Sequence, residues 1–255
     1  MTDTLALKLA LTPVLIAAAS LAGRRWGQAV GGWLVGLPLT SGPVAFFLAL
    51  EHGAGFAAAV ALGALAGALA EAAFCVAYGW SAPRGGPAAL GAASAAFALV
   101  ALGLQRVAWP LPVLAIVAVG TLLVALRLMQ PHVGAVASTP PPRWDLPARM
   151  VVTTALVVGL TELAPVLGPR LSGVLAAFPV YAAILTVFAH RAGPAPAVEV
   201  LRGLLLGLFS FAGFFVVLSG LIERLGVAGG FVAAIAAALT IQAASLAFVV
   251  VPARS

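Results

Sequence analysis

Long apolar runs recur along the chain and are separated by short polar stretches. Most of these runs are roughly 18–25 residues long, the length that an α-helix needs to cross a hydrocarbon core about 30 Å thick. The pattern predicts nine membrane-spanning helices, at 5–22, 29–50, 55–79, 86–104, 109–129, 149–166, 170–190, 197–222 and 226–251. We therefore expect an all-α, polytopic membrane protein.

The composition agrees with this prediction and excludes several classes of protein. The chain is 63% hydrophobic and 8% charged, with a mean hydropathy of +1.16, which is too little polar surface for a soluble globular domain. The basic residues are scattered over short loops, so no nucleic-acid partner is expected. The lone Cys75 excludes an intramolecular disulfide and a cysteine metal cluster.

The sequence also lacks the usual catalytic motifs. It contains no glycine-rich phosphate loop, no H-E-x-x-H, no G-x-S-x-G and no histidine or cysteine cluster. We therefore predict that the protein is not an enzyme and that it needs no cofactor or metal. A membrane-embedded enzyme ranks third among the functions considered.

The charged loops suggest an orientation in the membrane. The first apolar run could be a signal peptide, but Arg24 and Arg25 follow it, whereas a signal carries its charge in front. When the thirteen basic residues are divided by side, four fall with the amino terminus and nine on the other side. This asymmetry predicts that the amino terminus lies outside and the carboxyl terminus in the cytoplasm.

The chain contains an internal repeat. One constant offset in residue number superimposes Gly32-Trp33-Leu34 on Gly173-Val174-Leu175, Leu37-Pro38 on Phe178-Pro179, and Phe47 on Phe188. After a small gap in the alignment, Gly63-xxx-Gly67 falls on Gly203-xxx-Gly207. Each half then reads as a plain helix, a proline-interrupted helix, a helix with small-residue spacing and an Ala-rich helix.

The helix at 109–129 has no counterpart in the second half, so five crossings precede the second set of four. The two repeats are therefore predicted to be inverted relative to each other. The Pro-rich stretch at 131–149 reads as a cytoplasmic linker. This gives a first four-helix repeat at 1–108, a linker helix and loop at 109–148, and a second repeat at 149–255.

Two stretches carry a resemblance to a known family. The segment "GPRLSGVLAAFPVYAAILTVFAHRAGPAPAVEVLRGLLLGLFSFAGFFVVLSGL" resembles the GlpM family of small bacterial inner-membrane proteins, which have about four helices. The first-half stretch "GGWLVGLPLTSGPVAFFLALEHG" is similar to the same unit. The resemblance implies a tandem fusion of two such units in a bacterial inner membrane. It implies a fold unit rather than an activity.

The proline-interrupted helices predict a binding site. Proline removes a backbone donor and frees a carbonyl, and such groups at membrane depth must be buried in protein or line a wet cavity. Secondary carriers with inverted repeats place their sites at breaks of this kind. The candidate solute-binding residues are Pro38, Thr40, Ser41, Pro179 and Tyr181. The alternative is that both prolines are packing kinks, just as the small residues four apart favour close helix packing.

Two glutamates are candidates for proton coupling. Glu71 lies deep in its predicted helix, where a charged carboxylate costs roughly 2.5–3.5 kcal/mol, and it could exchange a proton near neutral pH. The alternative is a glutamate held by hydroxyl groups or nearer the interface. Glu162 lies nearer its helix end and could instead reach the headgroups. His52 and His190 are predicted at helix ends, where histidine is usually solvated.

The leading hypothesis is a secondary transporter or exporter of a small solute, working by alternating access and coupled to protons through Glu71. Its partners would be the lipid bilayer, the solute and protons. The alternative is a non-transporting membrane scaffold or accessory protein of the cell envelope, in which both proline breaks serve packing alone.

Overall fold

The computed structural model describes residues 33–129 and 145–250, together with positions 10, 13 and 14. Within these ranges the chain is helical and contains no strand. The helices are α1 (Ser41–His52), α2 (Ala54–Ser81), α3 (Gly86–Gln105), α4 (Leu111–Leu128), α5 (Asp145–Leu167), α6 (Pro169–Ala176), α7 (Val180–His190) and α8 (Pro194–Val250), with a one-turn 3-10 helix at Ala82–Arg84.

The membrane class predicted from sequence is confirmed. Five helical segments in the described part of the chain are long and apolar enough to cross a bilayer: Ala54–Arg84, Gly86–Gln105, Leu111–Leu128, Leu146–Leu167 and Pro194–Ser245. The predicted spans at 55–79, 86–104 and 109–129 match α2, α3 and α4 closely. Apart from positions 10, 13 and 14, the predicted helix at 5–22 lies outside the described residues, and so does most of the linker at 131–149. The count of nine helices therefore stays a prediction.

Two predicted spans are each divided into shorter helices. The span predicted at 29–50 consists of a helical turn at 33–35 followed, after a break, by α1. The span predicted at 170–190 is divided into α6 and α7. The last two predicted spans run together as α8, whose helical geometry is interrupted at Gly226 (φ 70°, ψ 178°).

Helix α2 forms the centre of the protein. In its most apolar stretch 78% of the residues are buried, compared with 22% in the corresponding stretches of α3 and α4. The peripheral helices expose large apolar side chains such as Leu99, Ile116 and Leu123. In a water-soluble protein these would form an unusually large exposed apolar surface, but they suit contact with lipid.

The long helices α2 and α8 pack together and run antiparallel. The Ser219 hydroxyl on α8 donates to the Ala58 carbonyl on α2 at 3.2 Å. A Cβ atom at Gly55 would lie 3.3 Å from Oε1 of Glu223. As the residue number rises along α2, the number of the contacting residue on α8 falls, so the two helices run in opposite directions.

Four glycines with positive φ mark corresponding turns in the two parts of the chain. Gly53 and Gly193 precede α2 and α8, with φ values of 86° and 122°. Gly85 precedes α3, and Gly226 precedes the last segment of α8, with φ values of 102° and 70°. These backbone conformations strain a residue with a Cβ atom, which accounts for glycine at each turn.

Candidate functional site at the two proline breaks

The first break is centred on Pro38. The Leu37 N–H donates to the Leu34 carbonyl at 3.2 Å, and the Leu39 N–H donates to the Leu37 carbonyl at 2.7 Å. The helix restarts where the Gly42 N–H donates to the Pro38 carbonyl at 2.9 Å. A proline cannot donate a backbone hydrogen bond, and a tight turn replaces the helical bonding around it.

The second break, centred on Pro179, has the same bonding. The Phe178 N–H donates to the Leu175 carbonyl at 3.1 Å, and the Val180 N–H donates to the Phe178 carbonyl at 2.8 Å. The Ala183 N–H then donates to the Pro179 carbonyl at 2.8 Å. Pro179 has φ −79° and ψ 58°, the geometry of an inverse γ-turn. All three hydrogen bonds match those of the first break at the offset that superimposes Pro38 on Pro179.

Each break packs against a long helix through residues too small to separate the backbones. A Cβ atom at Gly36 would lie 2.5 Å from Cα of Gly207, so the segment before the first break is in backbone contact with α8. A Cβ atom at Gly67 on α2 would overlap Cβ of Ala177, which begins the second break. The predicted close helix packing at Gly67 and Gly207 is confirmed.

Aromatic rings lie beside both breaks. The Phe178 ring meets Phe97 edge-on at a centroid distance of 5.1 Å, and meets Phe74 at 6.4 Å. At the first break, a Cβ atom at Gly42 would lie 3.9 Å from Cζ of Phe214. The breaks are therefore covered by aromatic side chains from neighbouring helices.

A buried polar network holds the first break, and the sequence reasoning missed it. Gln242 Nε2 donates to the Trp33 carbonyl at 3.0 Å, and Trp33 Nε1 donates to Ser245 Oγ at 2.7 Å. The Ser210 hydroxyl lies within hydrogen-bond distance of both Gln242 Oε1 and the Gly207 carbonyl. The only signal in the sequence was a glutamine and serines inside apolar helices.

Glu71 lies at the level of the second break. Gly67, one turn before Glu71, contacts Ala177. Phe74, almost one turn after Glu71, contacts Phe178. At about 1.5 Å per residue Glu71 is about 5 Å from the midpoint of α2. The residue is 5% exposed.

The other predicted site residues differ in how deeply they are buried. Ser41 and Pro179 are buried, whereas Pro38 and Thr40 are half-buried at the start of α1. Tyr181 is the second residue of α7, just after the second break, but its side chain lies outside the described residues. Glu162 is exposed on α5, so it does not share the buried environment of Glu71.

His190 differs from its expected solvated position. It is half-buried, and its Nδ1 lies 3.2 Å from Oη of Tyr78 on α2. The two rings meet edge-on at a centroid distance of 5.9 Å. His52, by contrast, is exposed and lies against the Phe56 ring, at a centroid distance of 4.7 Å.

A shallow recess lies away from both prolines, where the loop between α3 and α4 meets α6. Its lining includes Gly63, Gln105, Trp109 and Arg170. Trp109 Nε1 is buried there without a hydrogen-bond acceptor among the described residues. The recess has room for little more than a water molecule, which is the natural partner for this donor.

In the described residues, no three histidine, cysteine, aspartate or glutamate side chains lie close enough together to hold a metal ion. In this part of the chain the arrangement offers broken backbone, buried hydroxyl and amide groups, and a buried carboxyl group near the middle of α2. Comparison of the chain with family models, with curated proteins and with solved structures gives no match.

Proposed function

We propose that the protein is a secondary transporter of a small solute that works by alternating access between two inverted four-helix repeats. The observation that carries this proposal is the recurrence of the same three backbone hydrogen bonds at Pro38 and at Pro179, at the offset that also relates the two sequences. Paired broken helices in the two halves of a carrier are the arrangement that forms a solute site at the midplane.

The order of helices supports inversion of the repeats. Four helices, α2 to α5, lie between the two broken segments. If each crosses the membrane, the broken segments run in opposite directions. The repeats would then occupy 1–108 and 149–255, with α4 and the following loop, at 109–148, as the connection. Each repeat corresponds to one GlpM-like unit.

The packing of the breaks supports a pseudo-two-fold relationship between the repeats. Gly36 corresponds to Ala177, and Gly67 corresponds to Gly207, when the two halves of the sequence are aligned. The contacts Gly36–Gly207 and Ala177–Gly67 are therefore equivalent. In each of them the broken helix of one repeat packs on the third helix of the other. A rocking motion of one repeat against the other would act directly on both breaks.

The solute site is assigned to the two breaks, with Pro38, Thr40, Ser41, Pro179 and Tyr181 as its lining. Glu71 is the proton-coupling group, because it is buried near mid-membrane beside the second break. Exposed Glu162 has no comparable position and serves as the control. The excess of basic residues on one side orients the carboxyl terminus toward the cytoplasm of a bacterial cell.

One observation favours the alternative of a scaffold. The contacts at Gly36 and Gly67 are close-packed and leave no space for a solute between the backbones. In a scaffold the breaks would bend two helices around glycine contacts and would bind nothing.

The two functions can be separated by a ligand screen. Purified protein in nanodiscs is tested by thermal shift from about pH 5 to about pH 8. The panel contains metabolites, lipophilic cations and lipid-headgroup analogues. Saturation to a hundredfold over Kd stabilises a protein by about 2.7 kcal/mol, which a thermal shift resolves. The matched variants are Glu71→Gln and Glu162→Gln.

A transporter should be stabilised by one class of solute in a pH-dependent manner. Glu71→Gln should abolish the pH dependence, whereas Glu162→Gln should keep it. Identical responses of all three proteins to pH, with no stabilising compound in the panel, would place the scaffold first.

A further inference from the structure

A line of polar side chains runs along one face of α2 from Glu71 toward the end of the helix. Cys75 and Tyr78 follow Glu71 at about one and two helical turns, so the three side chains share a face. All three are buried, and Cys75 and Tyr78 have no exposed surface. The line leads from mid-membrane to the turn that carries Arg84.

The line continues through Tyr78 into His190 at the end of α7. The Tyr78 Oη and His190 Nδ1 atoms are 3.2 Å apart, and the histidine tautomer decides which atom donates. The other edge of the imidazole lies against the start of α3, where a Cβ atom at Gly86 would be 3.6 Å from Cδ2. His190 is half-buried, so it lies between the interior and the water at this end of the protein.

A buried hydroxyl lies on the same helix as His190. Thr186 is one turn before His190 on α7, and its side chain has no exposed surface. Its Oγ1 has no hydrogen-bond partner among the described residues. By contrast, Thr161 and Ser172 donate to carbonyls one turn before them. The Thr186 hydroxyl is available to a water molecule one helical turn from His190.

We propose that His190, Tyr78 and Thr186 form the cytoplasmic half of a proton pathway that ends at Glu71. The inference rests on the proposed function, since it supplies the route by which the coupling carboxyl group exchanges its proton. It adds residues from both repeats, because Tyr78 lies on α2 and His190 lies on α7.

The transfer balances as a chain of proton hops. A proton from cytoplasmic water binds Nε2 of neutral His190, and the proton on Nδ1 passes to Oη of Tyr78. The original hydroxyl proton of Tyr78 leaves to a short water chain beside Thr186 and protonates the Glu71 carboxylate. Glu71 becomes neutral, Tyr78 again carries a hydroxyl proton, and neutral His190 is left with its proton on Nε2. Exchange of that proton with water restores the Nδ1 tautomer before the next transfer. Histidine is suited to the entry step because one ring nitrogen can bind a proton while the other releases one.

The arginines at this end of the protein have contacts of their own. Arg191 lies over the Phe188 ring at 4.8 Å, and Arg84 is exposed with Nη1 3.4 Å from the Trp80 carbonyl. On α8, which packs against α7, the charged residues closest in sequence to α7 are Glu199 and Arg202. Arg202 Nη1 donates to the Leu126 carbonyl at the end of α4, at 3.2 Å. Helix α3 carries no ionisable side chain.

The remaining ionisable residues on helices packed against α2 lie toward the ends of those helices or beside the Gly226 interruption of α8. They are Glu51 and His52 on α1, Arg127 on α4, Arg170 on α6, and Glu223 and Arg224 on α8.

The pathway can be tested without knowing the solute. Infrared spectroscopy of the protein in nanodiscs follows the Glu71 carboxyl band after transfer to heavy water, and Glu71→Gln identifies the band by its loss. We expect Tyr78→Phe and His190→Gln to slow its exchange about a hundredfold. Thr186→Val, which keeps the side-chain shape, should slow it less. His52→Gln, at an exposed site, is the control and should leave the rate unchanged.

A rescue experiment separates proton transfer from a structural role. Free imidazole added to His190→Ala should restore much of the exchange rate, whereas a packing defect would not respond. Tyr78→Phe keeps the ring packing and tests the pathway even if the histidine variants fold poorly. Equal exchange rates in wild type, Tyr78→Phe and His190→Gln would overturn the pathway while leaving coupling at Glu71 intact. A Glu71 band that never exchanges in wild type would overturn both.

Discussion

Gly36 and Gly207 bring two distant parts of the chain into backbone contact. A Cβ atom at Gly36 would lie 2.5 Å from Cα of Gly207, and one at Gly207 would lie 2.8 Å from Cα of Gly36. Neither position therefore has space for a larger residue. The contact joins the segment before the first proline break to α8, and the helices can reach this distance only because both residues lack side chains.

Substitution at this contact should destabilise the protein. We expect Gly207→Ala to lower the free energy of unfolding by about 1–3 kcal/mol, because the added methyl group meets backbone that cannot move aside easily. Gly120→Ala is the matched control, since Gly120 lies in α4 with no neighbouring atom within 4 Å of a Cβ atom. The free energy of unfolding of both variants is measured by titration with a denaturing detergent in mixed micelles. An equal effect of the two substitutions would show that the contact is not close.

The second break should show a compensating pair. Gly67→Ala places a methyl group against Cβ of Ala177, so it should be destabilising alone and less so when combined with Ala177→Gly. We expect a coupling energy of about 0.5–3 kcal/mol in a double-mutant cycle measured by unfolding. Ala177→Gly combined with Gly103→Ala provides the control, because Gly103 has open space around it and the two changes should be additive.

Loss of the buried amide at the first break should be costly. Gln242→Leu leaves the Trp33 carbonyl without its donor and the Ser210 hydroxyl without one acceptor. We expect a loss of about 1–2 kcal/mol in the free energy of unfolding. Gln105→Leu should have an effect near zero, because its amide lies 3.4 Å from the Arg170 carbonyl in a more exposed place. Similar effects at both glutamines would contradict a special role for the network.

The single cysteine should report opening of the interior beside Glu71. Cys75 is fully buried one turn beyond Glu71, so a small maleimide should label resting protein far more slowly than unfolded protein. If the second break opens to water during transport, addition of the transported solute should accelerate labelling. Mass spectrometry gives the labelled fraction, and Cys75→Ser provides the background. Fast and complete labelling of the resting protein would contradict the described burial.

The sequence predicts helices well where a single physical signal defines them. The helices α2, α3 and α4 lie close to their predicted ranges, because a long apolar run ending in a polar loop gives both position and length. The prolines also located the two breaks. The sequence did not reveal the type of turn, since a γ-turn depends on ψ at the proline, which the ring does not fix.

Contacts between distant segments could not be predicted in the same way. Gly67 and Gly207 were expected to allow close packing, but the pattern did not say that their partners are Ala177 and Gly36. Gln242 drew no attention because one amide in an apolar helix has no meaning until a carbonyl such as that of Trp33 lies beside it. The burial of Glu71 followed from its depth in a helix.

The two broken segments also differ in when their covering helices are synthesised. When the ribosome makes Pro179, α2 already exists and can cover the freed backbone at that turn. Pro38 is made long before α8, whose Gly207 packs beside the first break. Polar backbone left in lipid costs several kcal/mol for each unpaired group. The amino-terminal half therefore reaches its final state only after most of the chain has been translated, and a nascent chain that stops before α8 should be a substrate for membrane quality control.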